Sequence, residues 1–530
     1  MLQSDFMRTG GVTNGLQLWA VTHLGPLWRF LQARPGLRSA ANRLIIDGMV
    51  YKMKTRPDRL STMSPYPSWP SLTNRTFSDR HLPPDPAFQL RLPPADRATA
   101  LFERSDSQER WSHKSTLLFP LFAQWFTDGF LRTDATNPLK NTSTHDIDLS
   151  ELYGQTEDVT RVLRSMTGGR LKSQVIDGGE YPPYYFDDEG NVKPEFAKLP
   201  ITLPAGDRKA VGVQEVGDLA NRKLFALGIP RGNIHYGFTM MSTLFLREHN
   251  RLADAIAAEH SSWDDERIFQ TARDTMIVLL LKVVVEDYIN HITPYYFKLF
   301  VDPGFAGRER WYRQNWMSIE FNMLYRWHSL VPSRVRVGGQ DRDTGSVLWD
   351  NNVVVSHPLG ALFEEASRQP STEIGLLNTP TFLLDIERRT IDMGRDAALA
   401  SYNDYRQACG YPRMQSFADV SSRAAVRAAL ASCYRSVNDI ELYVGLFAED
   451  VRPNAALPTL MGTMVGVDAF SQALTNPLLA DGIFGERTFS AAGWQAIGAT
   501  ARLQDILDRN TRNESRQPLA TLTQLTWSRV

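Results

Sequence analysis

Apolar residues recur at helical spacing along most of this chain. In Ser115–Arg132 (STLLFPLFAQWFTDGFLR) and Met240–His260 (MMSTLFLREHNRLADAIAAEH) they return every three or four positions, the period of one helix face. Asp264–Phe297 is apolar almost all round in its middle (MIVLLLKVVV), which predicts a long, deeply buried helix. Strict alternation is scarce, and only Arg334–Gly339 (RVRVGG) and Ser346–Pro358 (SVLWDNNVVVSHP) read as short hairpins. Loops rich in Pro and Gly at 177–206 and 338–346 separate helical stretches, and Met63–Pro86 reads as an extended connector. No internal repeat is found. The predicted class is mainly α.

The first sixty residues follow another pattern. Trp19, Leu24, Leu27, Trp28, Phe30, Leu31, Leu44, Ile45 and Ile46 are interleaved with eight cations between Arg29 and Arg59, opposed only by Asp47 and Asp58. Short amphipathic helices of this make-up suit a membrane interface, and equally a packed helical arm. The chain is therefore divided into an amphipathic arm, residues 1–62, with a membrane surface as its expected partner, and a main domain, residues 63–530.

Composition narrows the remaining classes. The 530 residues are 42% hydrophobic and 22% charged, as in ordinary globular proteins, and the net charge of −1 argues against a nucleic-acid partner. Two cysteines, Cys409 and Cys433, provide no disulfide framework and favour a reducing compartment. No apolar run reaches the roughly 18 residues of a bilayer span. Leu16–Leu31 is broken by His23, Gly25, Pro26 and Arg29 and lacks a small-residue cleavage site, so no secretory signal is read. The expected location is the cytoplasm or the cytoplasmic face of a membrane.

The chemistry is concentrated in Glu320–Pro332, EFNMLYRWHSLVP. On a helix, Tyr325 and His328 would share a face about 4.5 Å apart in rise, with Trp327 between them. A histidine so placed can ligate a haem iron, and a tyrosine one turn away can be oxidised by it. A plain core of Tyr, Trp and His would give the same triplet, so the surrounding motifs have to decide.

They do so together. EFNMLYRWHSLVP resembles the proximal helix of the peroxidase–cyclooxygenase superfamily, the animal-type haem peroxidases. Further likenesses follow in order: FAQWFTDGF (Phe122–Phe130), THDIDLSELYG (Thr144–Gly154), GGRLKSQ and GEYPP (Gly168–Pro183), LFLREHNRLAD (Leu244–Asp254), SYNDYRQACG (Ser401–Gly410) and IELYVGL (Ile440–Leu446) ahead of Phe470–Pro477. The likeness covers about residues 60–490 and is strongest to cyclooxygenase-like fatty-acid dioxygenases, such as bacterial linoleate 10S-dioxygenase. It implies a helical, haem-dependent catalytic domain.

Carried over by position, the resemblance makes His328 the proximal ligand of haem b and Tyr325 the radical residue. Trp327 lies beside the haem, and Asn438 is the partner of the other His328 ring nitrogen. Gln124 is the distal glutamine, but Asp128 stands where the family keeps a distal histidine, which predicts weak peroxidase turnover because a general acid–base of this kind contributes roughly 10²–10⁴-fold. Arg231 matches a distal arginine able to polarise a hydroperoxide. The ester-forming carboxylates fall at Thr127 and Ile234, so the haem is expected to be non-covalent. Leu324, Ser471, Phe470, Met317, Trp316 and Val467 are candidate channel walls, and Lys52, Lys54, Arg56 and Arg59 are candidates for a carboxylate head group. Thr144, Asp146, Asp148 and Ser150 resemble a Ca2+ loop, with an acidic helix cap as the alternative. His235 and His249 read as structural.

The resulting expectation is a fatty-acid dioxygenase using O2, with C18 acids such as linoleate favoured. Two alternatives stand beside it: a haem peroxidase acting on small electron donors, and a membrane-associated haem protein without catalysis.

Overall fold

A computed structural model describes residues 12–53, 75–104, 109–134, 136–200, 221–512 and 518–529. Most of the connector, and Lys54, Arg56 and Arg59, lie outside the described residues. The arm forms three helices, Val12–His23, Gly25–Gln32 and Pro35–Val50, the last two opened by proline in the first turn, where a missing N–H costs nothing. They rest on the segment 296–309. Trp28 packs edge-on against Phe297 at 5.8 Å, and Asn42 exchanges hydrogen bonds of 2.9 and 3.2 Å with the backbone of Phe300. Trp19, Leu27, Phe30, Leu37 and Leu44 remain exposed, Leu44 at 73%.

The body is helical around one continuous apolar core. Its axis is the helix Tyr236–Glu259, which packs against Leu118–Thr127 and Asp265–Val283. His235 caps the first of these by accepting from the Phe238 N–H at 3.0 Å, and Asp264 caps the third by accepting from that of Arg267 at 2.8 Å. The long buried helix expected across Asp264–Phe297 is not uniform. A π-helical turn, Val284–Ile289, interrupts it before Asn290–Ile292, and Pro294 then ends the run.

Among the described residues, extended strand is confined to three two-stranded antiparallel ladders: Trp111–Thr116 with Pro370–Thr372, Gln174–Ile176 with Gly179–Tyr181, and Arg334–Val337 with Gln340–Asp343. The RVRVGG hairpin is as expected. Gly338 and Gly339 turn it with φ of 62° and 75°, values that suit glycine at both centres of the turn. The hairpin expected at Ser346–Pro358 is instead a 3-10 turn, Thr344–Val347, and a short helix, Asn352–Val355, started by the Asp350 side chain accepting from the Asn352 N–H at 3.0 Å. Apolar alternation there serves burial of Val347, Trp349, Val353 and Val354 without a partner strand.

Candidate functional site

Tyr325 and His328 do not share a helix. Ser318 caps the helix Ile319–Leu324, and the chain leaves helical geometry at Tyr325 (φ −101°, ψ 22°) and again at Trp327 (φ −87°, ψ 47°) before the 3-10 turn His328–Leu330. The bend lets the Trp327 ring stack on Phe119 at 5.4 Å while lying 4.9 Å from Tyr325. A straight helix would not present all three side chains to these neighbours. The Tyr325 hydroxyl is buried, and burial pushes its phenol well above the ordinary range. Its polar neighbour is the hydroxyl of Tyr288, delivered by the π-helical turn; neither hydroxyl has another partner among the described residues. The sequence reading missed Tyr288, because nothing in VVVEDYI predicts that the helix widens there.

The expected partner of His328 is corrected. The Asn438 carbonyl oxygen accepts from Asn403 at 2.9 Å and Arg413 at 3.3 Å, which hold it away from His328 in the turn Val437–Asp439. The fully buried carboxylate of Glu387 takes that place, 3.2 Å from His328 Nδ1. The approach is oblique, so Nδ1 has no ideally aligned hydrogen bond, and it has no other partner among the described residues.

On another side of this segment, Gln124 Oε1 lies 3.1 Å from His235 Nε2. His235 Nδ1 already accepts from the Phe238 N–H, so Nε2 carries the proton and donates. Burial, with help from the Arg231 charge, pushes His235 down to about 3 and keeps it neutral. Asp128 closes the helix Leu118–Thr127 with one carboxylate oxygen buried and unpartnered. Arg231 and Asp128 both act on the partly buried Arg132 and Arg326, and Arg326 also feels Glu387 and Tyr443. The Gln124–Asp128–Arg231–His235 group and the His328–Glu387 group thus flank a shared interior region.

The other candidates divide. Leu324 and Phe470 are buried on the packed helices Ile319–Leu324 and Thr459–Ala473, as are Val467 and Ser471, although the Ser471 hydroxyl is engaged by the carbonyls of Val467 and Asp468 at 2.8 and 3.0 Å. Met317 and Trp316 sit toward His145 and Phe77. Asp468, on the same helix as Ser471, pairs with the buried His81 at 2.8 Å, and its charge reaches Tyr325. Lys52 is drawn onto the Tyr411 ring at 5.8 Å. In the acidic loop, Thr144 donates to Asp148 at 2.9 Å, Ser150 Oγ donates to it at 2.5 Å, and Asp146 lies 3.7 Å from Arg75. These oxygens satisfy one another as a turn cap, and no group of three metal-ligating side chains occurs among the described residues. A Cβ at Gly129 would meet the Glu151 carboxylate at 2.6 Å, so the space next to Asp128 is filled by Glu151.

The residues present fit a haem. His328 Nε2 makes no hydrogen bond among the described residues, and the side chain keeps 18% exposure within a buried neighbourhood. Gln124, Asp128, Arg231, Tyr325 and Arg326 likewise keep accessible surface, while Asp128 Oδ2, Arg231 Nε, Arg326 Nε and Trp327 Nε1 are buried without partners. Orphaned polar atoms gathered near an imidazole with an unengaged ring nitrogen are what a prosthetic group would satisfy.

Residues 85–521 match the model of the animal haem peroxidase family, and the chain belongs to that family, which implies haem as its cofactor. It is 29% identical over 506 residues to prostaglandin G/H synthase 2 of Equus caballus, an alignment covering 93% of this chain and 80% of that protein. Its fold matches the fatty acid alpha-dioxygenase of Arabidopsis thaliana with a TM-score of 0.72 at 15% identity, over 93% of this chain and 89% of that one. It also matches peroxidase A of Dictyostelium discoideum with a TM-score of 0.67 at 19% identity, over 82% and 91%. The expected family and mainly helical fold are borne out, and the similar proteins are oxidoreductases.

Proposed function

We propose that the protein is a haem-dependent fatty-acid dioxygenase in which Tyr325 carries the radical. One observation carries the reading: a buried phenol whose polar neighbour is a second phenol, at the end of a buried helix and three residues before a bare, ligand-ready imidazole. His328 would hold the haem, non-covalently since Thr127 and Ile234 offer no ester. Bound there, haem supplies the one-electron oxidant. Tyr325 gives up its hydroxyl hydrogen, with Tyr288 fixing the phenol's direction. The tyrosyl radical takes an allylic or bis-allylic hydrogen from the substrate, O2 adds to the carbon radical, and the peroxyl radical retakes hydrogen from Tyr325. The product is a fatty-acid hydroperoxide and the radical is regenerated, so no reductant is consumed per turnover.

Leu324 and Phe470 are apolar and fully buried, so an acyl chain would have to part them to lie along this face, and a C18 acid such as linoleate is the favoured substrate. The names of the alpha-dioxygenases similar in fold support this class. The exposed Trp19, Leu27, Phe30 and Leu44, set among arginines, support docking of the arm on a membrane surface, from which such a substrate would be drawn. The test is oxygen uptake by haem-loaded protein given linoleate and a trace of fatty hydroperoxide. Uptake lost in Tyr325→Phe with the Soret band retained is expected; equal uptake in both would remove Tyr325 from the chemistry.

A further inference from the structure

We propose that Glu387 is a positioning residue for His328: its carboxylate fixes the imidazole tautomer and strengthens the ring as an iron ligand. The inference rests on the reading of His328 as that ligand.

The geometry singles out this carboxylate. It is fully buried in the first turn of the helix Leu384–Asp396, the end at which the helix field favours negative charge. Every contact it makes is to a donor. Oε1 accepts from the Thr379 hydroxyl at 2.8 Å and faces His328 Nδ1 at 3.2 Å, while Oε2 accepts from the Tyr443 hydroxyl. A carboxylate taken this far from water is costly unless such donors surround it. Thr379 and Tyr443 leave room for a third donor, and His328 Nδ1 is a buried nitrogen with no other partner among the described residues. The ring torsion of histidine is soft, so a small rotation aligns the contact. With the proton held on Nδ1, the lone pair is confined to Nε2, the nitrogen that the structure leaves bare. Histidine ligands generally depend on an outer acceptor of this sort, and its loss typically costs about 10–100-fold in affinity or activity. The expected Asn438 amide would have been a weaker acceptor; a carboxylate pushes more electron density onto the ring and favours ferric over ferrous iron.

The experiment uses the full chain loaded with haem and reads two properties other than turnover: the ferric/ferrous midpoint potential and the iron–histidine stretching frequency of the ferrous form. Glu387→Gln should lose about tenfold of the preference for ferric iron, a rise of about 59 mV for one electron, and move the stretch to lower frequency. Tyr443→Phe removes a competing donor, so the carboxylate leans harder on His328 and the potential moves the opposite way. A merely structural carboxylate predicts no such signed pair. If Glu387→Gln does not fold, the sign of the Tyr443→Phe shift decides alone, and no shift overturns the proposal. Wild-type values in Glu387→Gln, with the iron–histidine band still present, overturn this inference and leave the function standing. An iron–histidine band that survives His328→Ala overturns both.

Discussion

Replacing Asp128 by histidine should raise peroxidase turnover. Asp128 stands at the end of the Gln124 helix beside Arg231 and Arg132, and its buried Oδ2 has no hydrogen bond to lose. An imidazole there would share surroundings with His235, which burial and the Arg231 charge push down to about 3. The Arg231 charge would favour its neutral form, free to take a proton from a hydroperoxide. A positioned base of this kind contributes roughly 10²–10⁴-fold, or about 2.7–5.4 kcal/mol of barrier at 1.36 kcal/mol per decade. The lower end is expected, because the surrounding side chains are packed around a carboxylate. Removing the Asp128 charge also leaves the partly buried Arg132 less compensated, a stability loss of about 1–3 kcal/mol. The assay is guaiacol oxidation by hydrogen peroxide, normalised to bound haem. A gain below twofold, with His328 still ligating, would refute the idea that position 128 lacks a base.

Further expectations follow from buried charges and the arm. Burial pushes Asp287 up to about 6, against an ordinary value of 3.8, so the native state binds the extra proton; stability falls as pH rises through about 4–6 and stays lower above it. Asp287→Asn, which keeps an acceptor for the Leu503 N–H, should stabilise the protein by about 2–3 kcal/mol at pH 8 and do nothing at pH 3.5, as read from denaturant midpoints. Asp468→Leu, which removes the 2.8 Å partner of the fully buried His81, should cost about 3–5 kcal/mol, and adding His81→Leu should recover much of it; strictly additive losses would show that the pair is not coupled. Serine at Trp19, Phe30 and Leu44 together should weaken binding to anionic vesicles at least tenfold, since each apolar side chain contributes about 1.5–3 kcal/mol when buried. Undiminished co-sedimentation would clear the arm of this role.

Local signals carried the reading where one segment held both pattern and chemistry. The helical period of Met240–His260 survives as a buried helix because its apolar face has core on several sides, and the double glycine of RVRVGG sets its own turn. The YRWH segment disclosed its residues but not its shape: the bend at Arg326–Trp327 exists because Phe119, from a distant helix, offers the tryptophan a stacking face. Asp128 was legible as a departure from the family pattern. Glu151, which fills the space beside Gly129, comes from a separate segment that no local pattern ties to it.

By itself, the sequence determined the helical class, the family and the order of Tyr325 and His328 in one segment, because each is written in residue identity or period within one stretch. Only the tertiary structure decided which carboxylate backs His328, which phenol meets Tyr325 and which histidine holds Gln124. Those partners come from helices far apart in the chain, brought together by packing of a shared core that no local pattern encodes.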